Sequence, residues 1–360
     1  MTSPQRRQRR LEAPHRRLDR GPRLLEKGVV GAYRASSWLL GHVPEALGRG
    51  VVGTGGQLSY LAWPTKRRWS NENFGHVLGL PPEHPRVRRL ALAAYREYGR
   101  YLVELMRLPG LGPEKVAALV DNAALDRIEP IWRESKGGLI FAVAHLGNNE
   151  AVAAGIAERG WPISVVADDS AFPEMFELLR RQRESWGVHI IAWRNLREIF
   201  AVLRRREMLA LLIDWGYRED GIPVRLFDAW TTLPAGPATL AARTDSRILP
   251  ISIRRGGDGR FDIRWSEPIE VASSKPADLV RATQAMADAL QAAIGAAPEQ
   301  WYNFKPIWPA TREESRELER RAAAALAGRG PATIEGQAAA PPFGLASPPR
   351  QAADPAPEPS

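Results

Sequence analysis

The 360-residue chain contains no cysteine. Without a thiol it can form no disulfide, zinc–thiolate centre, iron–sulfur cluster or cysteine nucleophile. The six histidines are dispersed, and no two of them are four residues apart as in a helical zinc site. We therefore expect no metal ion and no bound cofactor.

Long apolar runs are also missing. No stretch reaches the roughly 18 consecutive apolar residues of a membrane-spanning helix. The nearest candidate, residues 24–47, is interrupted by Lys27, Arg34, His42 and Glu45. We interpret it as an amphipathic helix that lies on a membrane surface, although a helix packed on the protein's own core fits equally well. No short apolar run leads to a signal-peptide cleavage site.

Two common catalytic motifs are absent. There is no G-x-x-x-x-G-K-[ST] loop for nucleotide phosphates and no G-x-S-x-G elbow of a serine hydrolase. The glycine-rich "GTGGQ" at 53–57 has no preceding strand and is interpreted as a loop.

The positive charge is concentrated at one end. Residues 1–23 carry eight arginines against Glu12 and Asp19, a local net charge of +6 out of +9 for the chain. A nucleic-acid reader usually concentrates its basic residues on a folded face, so we expect no nucleic-acid partner. A basic arm at 1–23 suits an anionic membrane, where each Lys or Arg contributes about 1 kcal/mol. A solvated tail without a partner is the alternative.

The periodicity predicts an α/β protein with a mostly parallel central sheet flanked by helices. Residues 24–135 have helical spacing and form a helical, membrane-facing portion, and 136–310 form the α/β core. Strands at 137–145, 162–168, 188–192 and 208–214 alternate with helices at 148–159, 172–186 and 195–206, which indicates a parallel sheet covered on both faces.

The remaining segments complete this predicted fold. Helix 235–244 precedes a hairpin of "RILPISIRR" and "GRFDIRW", and a helix follows at 276–295. A C-terminal helix at 311–327 closes a single domain of 24–327. The Pro- and Ala-rich tail at 328–360 lacks periodicity and is predicted to be disordered.

The segment "FAVAHLGNNEAVAAG" carries the most chemical information. His145 follows a buried strand at the sheet edge where open α/β proteins bind ligands. Glu150 lies five residues on, and a turn between them could fold its carboxylate back onto the imidazole to form a general-base pair. Gly147, Asn148 and Asn149 could stabilise an oxyanion or support the loop. A structural histidine beside a helix carboxylate is the alternative.

Residues 24–310 resemble the bacterial lipid A biosynthesis acyltransferases, a family that includes phosphatidylinositol mannoside acyltransferases and belongs to the lysophospholipid acyltransferase superfamily. Four blocks carry the resemblance. They are "HLGNNE", "FELLRRQRESWGVHII", the long block from "LALLID" through "LPAGPATLAARTDSRILPISIRR", and "PEQWYNFKPIW".

The resemblance implies transfer of a fatty acyl group from acyl-CoA or acyl carrier protein to a hydroxyl of a glycolipid, without a covalent acyl-enzyme. It implies that His145 is the base and that Glu150 holds it. Arg183 is the best match to a family arginine that contacts an anionic part of a substrate, with Arg180 as the next. Weaker substrate-site candidates are Asp214, Glu219, Gly236 and Pro237.

This interpretation places the protein peripherally on the cytoplasmic face of the inner membrane. It predicts an apolar groove that runs from the N-terminal helices to His145. A noncatalytic membrane protein that retains the acyltransferase fold is the first alternative function. A nucleic-acid binder that uses the Arg-rich arm is the second, although such a function would not need the parallel-sheet core. The acceptor, the acyl chain length and the oligomeric state are left open by the sequence.

Overall fold

A computed structural model of the protein describes residues 20–167 and 172–333. Residues 1–19 of the predicted basic arm and 334–360 of the predicted tail lie outside the described residues. The first helix begins at Arg20. The predicted arm at 1–23 therefore overlaps this helix by its last residues.

The helical N-terminal portion is confirmed. Proline at the start of several of these helices explains where they begin, because it presets the first-turn backbone angle and its missing N–H would be unpaired there anyway. Within the described residues, the α-helices before the first strand are α1 Arg20–His42, α2 Glu45–Ala62, α3 Pro64–Leu78, α4 Pro85–Arg107, α5 Pro113–Ala117 and α6 Asn122–Glu134.

The alternation of strands and helices that follows is also confirmed. The elements are β1 Leu139–Val143, α7 Asn149–Glu158, β2 Ile163–Ala167, α8 Pro173–Glu184, β3 His189–Ala192, α9 Leu196–Arg204, β4 Met208–Leu212, β5 Ile222–Leu226, β6 Ala229–Leu233, α10 Gly236–Thr244, β7 Arg247–Arg255, β8 Phe261–Trp265, α11 Pro276–Ala296 and α12 Arg312–Leu326.

The main sheet has the strand order β3-β2-β4-β1-β7-β8. Its first five strands are parallel, and β8 pairs antiparallel with β7 as the predicted hairpin. The strand β1 therefore lies between β4 and β7. Side chains that follow β1 and β4 meet at one edge of the sheet.

Both faces of the sheet are buried. Alternate residues of β1 point to opposite sides, so Ile140 and Ala142 pack in one hydrophobic cluster and Leu139, Phe141 and Val143 pack in another. The first cluster includes residues of α3, α4 and α11, and the second includes residues of α6 and α7. This two-sided burial explains the continuous apolar run that the sequence shows at β1.

Two interpretations of the N-terminal segment were wrong. The predicted helix 24–47 is divided, because α1 ends at His42 and Pro44 precedes α2. The glycine-rich segment 53–57 is helical rather than a loop. A Cβ at Gly56 would lie 2.2 Å from the Tyr95 carbonyl oxygen, so this glycine serves close packing of α2 on α4.

The hairpin of β5 and β6 was not predicted. Its turn residues, Phe227 and Asp228, adopt φ values of 48° and 59°. Turns of this kind usually contain Asn-Gly or Asp-Gly, and the sequence offers neither signal here. No described helix combines the length and apolar character needed to cross a bilayer.

Candidate active site

His145 lies at the carboxyl edge of the sheet, two residues beyond the end of β1. Asp214 lies two residues beyond the end of β4. The two strands are parallel neighbours in which Val143 pairs with Leu212. The register of the sheet therefore brings His145 and Asp214 side by side, although 69 residues separate them.

The Asp214 carboxylate holds both the ring and the backbone of His145. The ring atom Nδ1 lies 2.7 Å from Asp214 Oδ1, and the His145 backbone N–H donates to Asp214 Oδ2 over 2.9 Å. The indole Nε1 of Trp301 donates to the same Oδ2 over 2.8 Å, and the Asn303 side-chain amide donates to the Asp214 carbonyl. The carboxylate is thus fixed from three directions.

These contacts keep Asp214 ionised. Burial raises the pKa of Asp214. The His145 ring, the His145 amide and the Trp301 indole together lower it by more, so the pKa lies below its ordinary value. An ionised carboxylate only accepts hydrogen bonds. The neutral imidazole must therefore carry its hydrogen on Nδ1, which leaves Nε2 as the basic atom.

The His145 side chain is 31% exposed. The ring of Trp215 stacks on it, with 5.8 Å between centroids and 19° between planes, and Lys305 Nζ lies 3.8 Å from the centroid of the Trp215 ring. The imidazole is therefore partly accessible, beside an aromatic ring that also contacts a lysine ammonium.

Glu150 does not hold His145, contrary to the sequence prediction. Among the described residues, Glu150 forms its hydrogen bonds with Arg183, over 2.8 Å from Nε and 2.5 Å from Nη2. The cause is the geometry of the chain after His145. Glu150 lies in the first turn of α7, and Arg183 comes from the last turn of α8.

The Glu150–Arg183 pair is largely enclosed, with side chains 15% and 18% exposed. Burial lowers the pKa of Arg183. Glu150 raises the pKa by more than burial lowers it, so the guanidinium stays charged. Tyr33 of α1 and Tyr101 of α4 lie near this pair. Burial raises the pKa of both phenols, and the charge of Glu150 is the second cause for Tyr101. The N-terminal helices therefore wall this side of the site.

Arg180 does not join this site. It pairs with Glu177 and Glu184 of its own helix. The two arginine candidates are therefore distinguished by the structure, because only Arg183 contacts a residue of the His145–Glu150 segment.

Gly147 and Asn148 shape the loop between His145 and α7. Gly147 has φ +64°, and a Cβ there would lie 2.2 Å from the Ile253 carbonyl oxygen. Its N–H donates to the Gln300 carbonyl over 3.2 Å, so this amide is not free for an oxyanion. Asn148 caps α7 by accepting from the Ala151 N–H over 3.1 Å.

Asn149 supports the same loop. Its side-chain nitrogen donates to the Ala144 carbonyl over 2.9 Å. The first N–H groups of a helix have no partner within the helix, and the described residues supply none for the N–H groups of Asn149 and Glu150. These two amides are the remaining candidates for oxyanion stabilisation.

The weaker candidates are placed differently. Glu219 is exposed, and its carbonyl accepts a hydrogen bond from Arg321 over 2.8 Å. Gly236 begins α10 with open space where a Cβ would lie, while Pro237 is buried in the first turn. Among the described residues, none of the three forms a hydrogen bond with His145 or Asp214.

Trp301 and Asn303 were given no role by the sequence. Their signal was the "PEQWYNFKPIW" block, but the bonds that these residues make to Asp214 depend on a 3₁₀ turn at Pro298–Gln300 that brings the segment back to the sheet edge. The Tyr302 N–H donates to the His145 carbonyl over 2.8 Å. The segment thus fixes both members of the pair.

A cavity of about 190 Å³ lies beside the end of β1. Its walls include Ala144 and Ile213, the sequence neighbours of His145 and Asp214, together with residues of β7, β8 and α11. It contains no residue of the N-terminal helices and not His145 itself. It is therefore not the predicted groove from those helices to His145, which stays a prediction.

Comparison with known proteins identifies the family of the chain. The family model described as bacterial lipid A biosynthesis acyltransferase matches residues 20–309. A phosphatidylinositol mannoside acyltransferase of Mycolicibacterium smegmatis is 26% identical over 307 residues, which cover 83% of this chain and 96% of that protein. A protein of the same name from Mycobacterium tuberculosis is 28% identical over 298 residues, 81% of this chain and 92% of that protein.

The family match covers the helical N-terminal portion and the sheet, including His145, Glu150, Arg183 and Asp214. The relatives are likewise similar over most of their length. The chain therefore belongs to the bacterial lipid A biosynthesis acyltransferase family and is an acyltransferase.

Proposed function

We propose that the protein transfers a fatty acyl group from a thioester donor, acyl-CoA or acyl carrier protein, to a hydroxyl of a glycolipid of the lipid A precursor or phosphatidylinositol mannoside type. The pairing of His145 with the buried Asp214 at the carboxyl edge of the sheet is the observation that carries this proposal. The names of the relatives support a glycolipid acceptor.

The proposed reaction uses His145 Nε2 as the general base. Nε2 removes the proton of the acceptor hydroxyl while the oxygen attacks the thioester carbonyl, which forms a tetrahedral oxyanion. The C–S bond then breaks, and the imidazolium returns its proton to the leaving thiolate. Asp214 stabilises the imidazolium and keeps the required tautomer. It thus takes the positioning role that the sequence assigned to Glu150.

The amides of Asn149 and Glu150 are the groups that we assign to the oxyanion. Amide donors aimed at a developing charge act strongly in a site that is shielded from water. Glu150 also holds Arg183 through Nε and Nη2 and leaves Nη1 for a substrate anion.

We assign the outer face of α1 and α2 to the membrane surface. Large apolar side chains are exposed there, among them Trp38 at 66% and Trp63, which follows α2, at 59%. Aromatic rings suit the membrane interface, and basic residues attract anionic lipids. We place the protein on the cytoplasmic face of the inner membrane.

Incubation of the purified full chain with a long-chain acyl-CoA and a phosphatidylinositol mannoside, followed by mass spectrometry of the lipids, tests the reaction. We expect an acylated acceptor and free thiol in equal amounts. Acyl carrier protein thioesters and a lipid A precursor serve as parallel substrates. Hydrolysis of the thioester without acylation of any acceptor would contradict the proposal.

Sedimentation with vesicles tests the attachment. We expect binding to vesicles that contain phosphatidylglycerol. The bound fraction should fall with added salt, and it should fall again when Trp38 and Trp63 are replaced by Ser. The control replaces the partly buried Trp132, which lies outside this face, by Phe. Equal sedimentation of all variants with neutral and anionic vesicles would contradict the assignment.

A further inference from the structure

A second cavity, of about 410 Å³, lies between α2, α4 and the turn that joins β7 to β8. Four guanidinium groups line it, from Arg49, Arg96, Arg100 and Arg255. The glycines of the turn at 256–259 form much of the remaining wall. The mechanism proposed above uses none of these residues.

Close packing of α2 on α4 brings three of these arginines together. A Cβ at Gly99 would lie 2.5 Å from the Val52 carbonyl oxygen, and one at Gly53 would lie 3.2 Å from Cγ of Arg96. The glycines let the two helix backbones approach until Arg49 of α2 faces Arg96 and Arg100 of α4. The arrangement therefore depends on the small residues of the helix crossing.

Carboxylates behind the cavity hold part of this cluster. Arg255 bonds Glu104 over 2.6 Å and Glu97 over 2.7 Å, and Glu104 also receives Arg49 over 3.1 Å. Neither of these glutamates lines the cavity. Glu97 also pairs with Arg100 over 2.5 Å, and Glu45 pairs with Arg49 over 2.6 Å. Such pairs hold guanidinium groups in fixed positions, so the cavity has a rigid wall of guanidinium groups whose four charges are partly balanced by three glutamates.

One of the four arginines has unused donors. The described residues offer Arg96 no carboxylate partner, whereas the other three arginines of the cavity are paired with glutamates. The Nε of Arg49 also lacks a hydrogen-bond partner among them, but this atom is buried and offers no donor to a ligand in the cavity. Clustered guanidiniums with free donors are the chemistry that recognises phosphate oxygens.

The cavity is connected to the active-site loop. Asn148, which caps α7, donates to Glu104 over 3.3 Å. The Arg255 N–H donates to the Gln300 side chain over 2.7 Å, and the Gln300 carbonyl accepts from Gly147. An anion bound by the arginines would thus be held by groups that contact Gly147 and Asn148, two adjacent residues of the loop after His145.

We propose that this cavity binds the phosphate of a phospholipid headgroup. Helix α2 indicates that the phosphate belongs to a membrane lipid. It carries Arg49 on the cavity side and the exposed Leu47 and Val51 beside it. Lipid phosphates lie at the depth where such apolar side chains enter a bilayer surface. The proposal rests on the membrane association proposed above, and it adds a specific phosphate site to that surface.

Calorimetric titration of the full-length protein with dihexanoyl phosphatidylglycerol, a lipid that stays soluble, tests the site. Dihexanoylglycerol, which lacks the phosphate, is the ligand control. We expect saturable binding only of the phospholipid, weakened at least about tenfold in the double variant Arg96→Gln with Arg100→Gln, because charge-assisted hydrogen bonds are lost.

The matched control is the double variant Arg88→Gln with Arg89→Gln, which removes the same charge from exposed positions of α4. Binding by this variant should equal that of the wild type. A second test variant, Gly257→Asp, adds a carboxylate to the wall where a Cβ meets nothing within 4 Å, and it should weaken binding without disturbing the helices.

If the control double variant weakened phospholipid binding as much as the double variant at Arg96 and Arg100, a general charge effect would explain the result and the proposal would be overturned. Absence of phospholipid binding would also overturn it. Binding of coenzyme A with the same dependence on Arg96 and Arg100, without binding of the phospholipid, would assign the phosphate to a soluble ligand and overturn the lipid source. Acyl transfer is measured separately on each variant, so failure of the catalytic proposal is a distinct result.

Discussion

Asp214 and Glu150 are two enclosed carboxylates near His145, and their surroundings differ. Asp214 follows a strand and accepts hydrogen bonds from the His145 ring, the His145 amide and the Trp301 indole. Glu150 begins a helix and pairs with the single guanidinium of Arg183. The strand ends therefore fix the geometry of the His145 ring, and the two helices fix an ion pair beside it.

This difference gives each carboxylate its own expected phenotype. Loss of Asp214 should disturb the tautomer and orientation of His145, which the chemical step needs. Loss of Glu150 should release Arg183, which affects binding and stability first. Each prediction below compares a change in one region with a matched change in the other or elsewhere in the chain.

The largest effect is expected for the base itself. His145→Ala should lower acyl transfer by about 10²–10⁴-fold, the usual contribution of a positioned general base. Initial rates at saturating donor check this. His189→Ala, at the exposed first residue of β3, is the control and should retain the rate. Full activity of the His145 variant would remove the chemical basis of the mechanism.

The second prediction compares the two carboxylates directly. Asp214→Asn should lower kcat by about 10²-fold or more, because the amide can stabilise the wrong tautomer of the imidazole. Glu150→Gln should lower kcat less and change KM more. Steady-state kinetics at varied donor and acceptor concentrations separate the two effects. A larger loss of kcat in the Glu150 variant would reverse the assigned roles.

The sequence predicted His145 correctly at the sheet edge because a buried apolar run and its following polar residues are local signals. The partner of His145 is not local. Asp214 lies on another strand, and only the pairing of Val143 with Leu212 shows that the two residues meet. Spacing within "HLGNNE" favoured Glu150 instead, since a nearby carboxylate is the one that a linear motif displays.

The same limit explains other differences in the fold. Alternating strands and helices predicted the parallel sheet, because periodicity and length are read from short windows. The helical glycines at 53–57 were misinterpreted because glycine is needed there for close contact with α4, which a local pattern does not reveal. The Phe227–Asp228 turn carries no sequence signal for its backbone angles. Tertiary packing, rather than local preference, decides each of these cases.

The third prediction concerns stability. Glu150→Gln should lower the free energy of unfolding by about 1–3 kcal/mol, because Arg183 is left enclosed without its counter-charge. Adding Arg183→Gln should cost less than the sum of the two single changes. Urea unfolding of the four proteins gives the coupling. Strict additivity would show that the pair contributes nothing as a pair.

The fourth prediction uses the lowered pKa of Asp214. Because the folded pKa lies below the unfolded value, the ionised carboxylate stabilises the fold fully above the ordinary pKa of about 3.9, and this stabilisation is lost as the pH falls through the lower folded pKa. The difference in unfolding free energy between wild type and Asp214→Asn should therefore shrink toward acid.

Urea unfolding between about pH 3 and 6 measures this difference. Asp228→Asn is the control, because its side chain is fully exposed, and its difference from wild type should stay flat. A gap for Asp214→Asn that grows toward acid would contradict a depressed pKa.

The smallest effect is expected for Arg180, the neighbour of Arg183 on the same helix. Arg180 pairs with Glu177 and Glu184 at the surface of α8, and exposed pairs of this kind contribute at most about 1 kcal/mol. Arg183 instead bonds Glu150 through Nε and Nη2, and its Nη1 is the donor that we propose for a substrate anion. Arg183→Gln should therefore raise KM for an anionic substrate by about tenfold, while Arg180→Gln should raise it far less. Circular dichroism of both variants controls for folding. A larger rise in KM for Arg180→Gln would move the substrate anion away from Glu150 and onto the outer face of the helix.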